Sequence, residues 1–186
     1  MSTFTDFRVA VLATDGFEES ELTEPVKALK AAGAKVTIVS LRPGEIQGVR
    51  HDLDKTITIK VDRTIRDVSA DEFDGVHLPG GTVNADAMRA VPEVQAFLRA
   101  MQDAGKPLSA ICHAPWELVS AGLVRGRTLT SYHTIQDDVR NAGGEWVDRE
   151  VVEDGNWVTS RQPSDIPAFN RAMLGLFAQS RVAAHK

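Results

Sequence analysis

Short apolar runs alternate with longer amphipathic stretches along most of the chain. Four apolar runs predict strands, at residues 7–13, 35–40, 75–81 and 106–112. Apolar residues at helical spacing predict helices over Glu21–Ala32, over Pro92–Ala104 and from just after Cys112, with glycines ending the first two. Strand followed by helix, repeated, predicts an α/β fold with a doubly wound, mainly parallel sheet that is sandwiched by helices.

Three further segments depart from this alternation. The run ITIKV at residues 57–61 follows a polar, glycine-containing stretch, which indicates a side excursion of the chain. Residues 150–160 predict an additional β-hairpin that turns at Asp154 and Gly155. Residues 164–178 predict a closing helix with Ser164 as its cap.

Length and charge restrict the possible functions. The 186 residues predict one domain spanning residues 1–186, and a formal net charge of −5 without a basic run argues against nucleic-acid binding. No run approaches the roughly 18 apolar residues of a membrane span. With one cysteine no disulfide can form within the chain, and we expect a cytoplasmic protein whose thiol stays reduced.

The lone cysteine, Cys112, lies in the stretch SAICHAPWEL, where a predicted strand stops and a helix begins. A lone cysteine is often only a small buried hydrophobe. The position of Cys112 between a strand and a helix is instead typical of a nucleophile elbow, in which a strained turn presents the reactive atom above the sheet. The amides at the start of the helix favour thiolate over thiol, so we expect a reactive sulfur.

Other candidate groups belong to the same edge, because parallel strands present their carboxyl ends on one side of a sheet. The strand ending in HLPGG brings the amides of Gly80 and Gly81, which with that of His113 are expected to stabilise an oxyanion. The stretch DGFEESEL brings three glutamates, one of which would be protonated and donate to the sulfur. Spacing alone does not choose among these acids: Glu18, Glu19 and Glu21.

The sequence offers two candidate catalytic histidines and no motif of a common metal or nucleotide site. His113 and His133 are the histidines that compete for a catalytic role, whereas His77 lies within a strand pattern and is expected in the core. The absence of HExxH and CxxC spacings predicts no metal site, and the absence of GxGxxG and P-loop motifs predicts no nucleotide cofactor.

Several stretches together resemble one family nearly end to end: DGFEESEL, VHLPGG, GKPLSAICHAPWEL and GGEWVDREVVEDGNWVTSR. They are similar to the PfpI-type intracellular proteases, in the class I glutamine amidotransferase-like superfamily that also includes the Parkinson-associated deglycases. The resemblance implies a flavodoxin-like fold, Cys112 as nucleophile, His113 as its partner and Glu18 as the acid that holds the sulfur. It also implies a homodimer or larger homo-oligomer, in which Asp86 from a neighbouring subunit completes a triad, and leaves His133 as a pocket residue.

The resemblance implies a cofactor-independent, stress-related enzyme that acts on small carbonyl compounds or glycated protein groups and releases lactate from methylglyoxal adducts. Peptide hydrolysis of short chains through a thioester is the alternative within the same chemistry. A different class of function is a redox sensor or chaperone, in which an exposed thiolate is oxidised to a sulfinic acid.

Overall fold

The computed structural model describes the backbone of residues 4–184 and the side chains of residues 4–180. The ends of the predicted domain, residues 1–3 and 185–186, lie outside the described residues. The strands are β1 (Arg8–Leu12), β2 (Phe17–Glu18), β3 (Lys35–Ser40), β4 (Glu45–Arg50), β5 (Asp54–Lys60), β6 (Arg63–Thr64), β7 (Gly75–Leu78), β8 (Leu108–Ile111), β9 (Thr128–Leu129), β10 (Glu145–Trp146), β11 (Val151–Asp154) and β12 (Trp157–Ser160). The helices are α1 (Glu19–Ala31), α2 (Thr82–Arg89), α3 (Pro92–Asp103), α4 (Pro115–Ser120), α5 (Gln136–Asn141) and α6 (Ile166–Ala184).

A seven-stranded sheet forms the centre of the fold, in the order β11-β12-β8-β7-β1-β3-β6. Its neighbouring strands are parallel except for the antiparallel pair β11 and β12. The predicted α/β fold with a mainly parallel sheet is therefore confirmed. Because chain connections run outward in both directions from β1, the carboxyl ends of β1, β7 and β8 form one ligand-binding edge.

Side chains alternate between the two faces of the sheet, as the period of a strand requires. In β1, Val9 packs with α1 and α6 on one face, whereas Ala10 and Leu12 pack with α3 and α4 on the other. In β12, Trp157 and Val158 likewise point to opposite faces. Both faces are covered by helices, which explains why these strands are continuously apolar.

The excursion and the hairpin are both present. The run ITIKV contributes to β5, which with β2 and β4 forms a separate three-stranded sheet. Strands β11 and β12 pair around Gly155, whose φ is +57°. Helix α6, however, begins at Ile166 after a 3-10 turn over Pro163–Asp165, so the expected cap Ser164 lies inside that turn.

Helix α2 was not expected from the sequence. Its eight residues bury Asn84, Ala85 and Met88, a set with too little apolar character for a periodic signal. Among the described helices, none combines the length and the apolar character needed to cross a membrane.

Candidate active site

Cys112 occupies a strained turn between β8 and α4. Its φ is +64°, in the left-handed region that residues with a side chain rarely adopt. The backbone is held on both sides: the Cys112 N–H donates to Ser160 O at 3.1 Å, and the Cys112 carbonyl accepts from the Tyr132 N–H at 2.8 Å. The predicted elbow geometry is thus present, and its strain is offset by hydrogen bonds from two other segments.

The turn after β7 approaches Cys112 so closely that only glycine fits. A Cβ added at Gly80 would lie 2.4 Å from Glu21 Oε2 and 2.6 Å from Cys112 Cβ. The Gly80 N–H donates to Glu21 Oε2 at 3.0 Å, so this amide, expected at the oxyanion, is already engaged. The amides of Gly81 and His113 face Cys112 instead, and they remain the candidates to stabilise an oxyanion.

The acid beside the sulfur is Glu21, and the expectation that Glu18 holds the sulfur is wrong. Glu21 is fully buried beside Cys112 and its carboxyl affects the thiol, whereas Glu18 Oε2 accepts the His51 N–H at 2.9 Å. The helical spacing carries the signal that sequence reasoning missed. The inward face of α1 consists of residues 21, 22, 25 and 29, so the acid that shares the apolar stripe is the one that enters the site.

Burial dominates the electrostatics of the pair formed by Cys112 and Glu21. It raises the pKa of Glu21 well above its usual range, and the neighbouring Glu18 charge adds to this shift. Burial, together with the charge on Glu21, also raises the pKa of the Cys112 thiol. The expected preformed thiolate is therefore not what this environment favours, because desolvation outweighs the amides of Gly81 and His113.

His113 is placed to accept the thiol proton. Its Nδ1 lies 3.2 Å from Cys112 Sγ, and its ring stacks on Tyr132 with centroids 4.9 Å apart. Burial lowers the pKa of His113, so the imidazole is neutral near pH 7. On the other side of the ring, Thr82 Oγ1 and Thr134 Oγ1 each lie 3.3 Å from Nε2.

The remaining predicted site residues lie around this centre or away from it. His133 is exposed at the entrance, its ring centroid 4.6 Å from that of Tyr132, and its charge contributes to lowering the pKa of His113. Asp86 is exposed on α2. His77 is fully buried: Nε2 donates to Glu21 O at 2.9 Å, so Nδ1 accepts from Ser109 Oγ at 3.0 Å.

Comparisons with known proteins agree with this geometry. The sequence profile of the DJ-1/PfpI family matches residues 7–176. Deglycase TK1284 of Thermococcus kodakarensis is 43% identical over 169 residues, covering 91% of this chain and 98% of the relative. The putative cysteine protease YraA of Bacillus subtilis is 41% identical over 170 residues, covering 91% and 97%.

Among solved structures, DJ-1beta of Drosophila melanogaster superposes with a TM-score of 0.83 at 32% identity, over 97% of this chain and 95% of that one. The comparisons of sequence and of fold thus agree. The chain belongs to the DJ-1/PfpI family.

Proposed function

We propose that the protein is a cysteine-dependent deglycase that takes up methylglyoxal and its protein adducts and releases lactate. The observation that carries the proposal is the position of Cys112 Sγ, 3.2 Å from Nδ1 of a neutral His113 and beside the buried carboxyl of Glu21. A relative 43% identical to the chain is named a deglycase, which supports the same chemistry.

The first step is an attack of Cys112 Sγ on the aldehyde carbon of methylglyoxal. A carbon–sulfur bond forms while the thiol proton passes to His113 Nδ1, so no preformed thiolate is required. The carbonyl oxygen becomes an alkoxide that accepts from the amides of Gly81 and His113. His113 then returns the proton to this oxygen, giving a hemithioacetal. With a carbinolamine on a protein, the amine leaves first as the aldehyde reforms.

The second step is an internal rearrangement, and it needs no external oxidant. A proton moves from the former aldehyde carbon to the former ketone carbon through an enediolate, with His113 as the carrier. The first carbon is thereby oxidised to an acyl group and the second is reduced to an alcohol. Water cleaves the resulting lactoyl thioester, which releases lactate and restores the thiol.

Two alternative functions would use the same residues. Peptide hydrolysis, suggested by the name of YraA, would pass through a comparable thioester. Redox sensing requires an accessible thiolate, since oxidation follows thiolate character and exposure. Cys112 is only 7% exposed and its pKa is raised by burial, which favours an enzyme over a sensor.

The decisive experiment measures lactate released from methylglyoxal, and from methylglyoxal-treated N-acetylcysteine, by the purified protein. Cys112→Ser is nearly isosteric and is expected to lower the rate by at least about a hundredfold while leaving the fold intact. A double variant, Cys112→Ser with Ser164→Cys, restores one exposed thiol on another segment and controls for scavenging of free aldehyde. Lactate release that survives in folded Cys112→Ser would refute the proposal.

A further inference from the structure

A chain of hydrogen bonds connects His113 to a carboxylate of the same subunit. We propose that Asp52 acts through Thr82 as the positioning acid of the site, fixing which nitrogen of His113 carries the proton. The inference rests on the proposed function, in which His113 accepts the proton of Cys112. It replaces an acid supplied by a neighbouring subunit with one supplied in cis.

Asp52 engages Thr82 with both carboxylate oxygens. Oδ1 accepts the Thr82 N–H at 2.8 Å, and Oδ2 accepts from Thr82 Oγ1 at 2.9 Å. A carboxylate has no proton to give, so the hydroxyl must be the donor in the second bond. These two bonds fix the rotamer of Thr82 and the direction of its O–H.

The direction of that hydroxyl decides the tautomer of His113. Thr82 Oγ1 has used its only hydrogen, so it presents lone pairs to the ring, 3.3 Å from Nε2 and 3.5 Å from Nδ1. The lone pairs of Thr82 favour a proton on the ring nitrogen that faces them, and Nε2 is the closer nitrogen. Thr134 Oγ1, also 3.3 Å from Nε2, has a hydroxyl free to rotate and can accept the same proton. With the proton on Nε2, the lone pair of Nδ1 faces Cys112 Sγ at 3.2 Å, as a base requires.

The loop that carries Asp52 is strained and is held by Glu18. His51 and Asp52 both have left-handed backbones, with φ of 54° and 62°. The carboxylate of Glu18 accepts the His51 N–H at 2.9 Å and also accepts from the Asp52 amide. Strain of this kind persists where surrounding contacts impose it and often marks a functional position. Glu18 thus supports the hydrogen-bond chain from Asp52 through Thr82 to His113, called the relay below, rather than the sulfur.

Four titratable groups surround the His113 ring: Asp52, His133, Cys112 and Tyr132. The Asp52 charge raises the pKa of His113 and opposes both burial and the His133 charge. Asp52 therefore also favours the imidazolium that forms when the thiol proton is transferred.

Substitution of Asp52 by Asn should reverse the relay. The amide oxygen would still accept the Thr82 N–H, but the amide nitrogen would donate to Thr82 Oγ1, and the hydroxyl would turn its hydrogen toward His113. The proton of the ring would then favour Nδ1, the wrong nitrogen. We expect Asp52→Asn to lower kcat about tenfold with little change in KM, and to shift the acidic limb of the kcat/KM profile to lower pH. Asp54→Asn removes a charge two residues away, at the start of β5, and is the matched control.

The tautomer is measured directly by ¹⁵N chemical shifts of the His113 ring, a readout that does not depend on turnover. The parent is expected to carry the proton on Nε2, and Asp52→Asn and Thr82→Val are expected to lose this preference. Thr82→Ser, which keeps the hydroxyl, should recover it relative to Thr82→Val. An Nε2–H tautomer and an unchanged kcat in Asp52→Asn would overturn the relay while leaving the proposed function intact. Activity retained in Cys112→Ser would instead remove the proposed function, and the ring shifts would still decide the relay.

Discussion

At the scale of single residues, the chemistry depends on a buried proton that Cys112 and Glu21 share. Burial raises the pKa of both groups; the charge on Glu21 raises that of Cys112 further, whereas the contact with Cys112 partly lowers that of Glu21. One proton between the two groups is therefore favoured over none. The neutral His113 provides the place to which that proton moves when the sulfur attacks.

The pair predicts a specific response to Glu21→Gln. Glutamine keeps the bond from the Gly80 N–H and can donate to the sulfur, but it carries no charge. Because the charge on Glu21 raises the pKa of Cys112, its removal should let the thiolate form at lower pH. Thiolate absorbance near 240 nm, followed during a pH titration and compared with that of Cys112→Ser, measures this shift. A thiolate that forms at higher pH in Glu21→Gln would contradict the assignment.

A second buried acid, Glu117, has no evident part in the chemistry. It is fully buried in α4, and within the described residues neither carboxyl oxygen has a hydrogen-bond partner. Burial raises the pKa of Glu117 well above its ordinary value. The group is therefore kept neutral, and its unmet hydrogen bonds reduce the stability of the fold.

Glu117 should make stability fall as the pH rises. Below about pH 4 both the folded and the unfolded chain hold the proton. Above that pH the unfolded chain ionises first, so folding costs about 1.4 kcal/mol for each unit that separates the two pKa values, until the folded pKa is reached. Glu117→Gln should therefore gain stability over the parent between pH 4 and pH 8 in urea unfolding. The exposed Glu153→Gln is the control, and an equal gain there would contradict the explanation.

At the scale of elements, the site forms where β1, β7 and β8 end, and Asn84 ties the ends of β1 and β7 together. Its Nδ2 donates to the carbonyls of Pro79 and Gly80, both at 3.0 Å, and its Oδ1 accepts the Thr14 N–H at 2.7 Å. Two of these hydrogen bonds hold the turn after β7, and the third connects it to the segment after β1. The turn is thus fixed before any substrate binds.

Gly81 in this turn should tolerate no side chain. Its φ is +91°, and a Cβ there would lie 2.1 Å from Gly16 O and 2.7 Å from Glu18 N, both backbone atoms. Gly81→Ala is expected to cost more than about 3 kcal/mol of unfolding free energy, because strain and overlap add. Gly122→Ala has a similar φ of +75° but meets nothing within 4 Å, so it should cost about 1 kcal/mol. Equal losses in urea unfolding would show that overlap contributes nothing.

The elements themselves were largely predictable from the sequence, and their exceptions have physical reasons. Strands β1, β3, β7 and β8 are buried on both faces, so they appear as apolar runs. Helix α2 carries its buried face on small and polar residues, such as Asn84, and gives no periodic signal. The start of α6 shifted to Ile166 because Pro163 opens a 3-10 turn first.

At the scale of the whole molecule, the open question is whether the acid of the site comes from the same chain. Asp52 reaches His113 through Thr82 within one subunit, whereas Asp86 is exposed and would act only across an interface. The expectation of at least a dimer, implied by the family resemblance, stays a prediction. Sedimentation equilibrium measures the assembly directly.

Mixing variants distinguishes the two sources of the acid. If Asp52 acts in cis, refolding Asp52→Asn together with Cys112→Ser should give no more activity than the Asp52→Asn subunits have alone, because no subunit then carries both residues. If Asp86 acted in trans, refolding Asp86→Asn with Cys112→Ser would regain up to about a quarter of the parental activity, from mixed dimers with one intact site. Lactate release from both mixtures measures the difference, and recovery in the first mixture would contradict the cis relay.

The sequence by itself determined the parallel α/β sheet, the elbow at Cys112 and the gathering of thiol, glycines and acids at one edge. These features follow from local periodicity and from the geometry that parallel strands share. Only the tertiary structure decided that Glu21 rather than Glu18 contacts the sulfur, that burial raises the pKa of the thiol, and that Asp52 reaches His113 through Thr82. The reason is that desolvation and hydrogen-bond direction depend on neighbours about 30 to 90 positions apart in sequence, which no local pattern records.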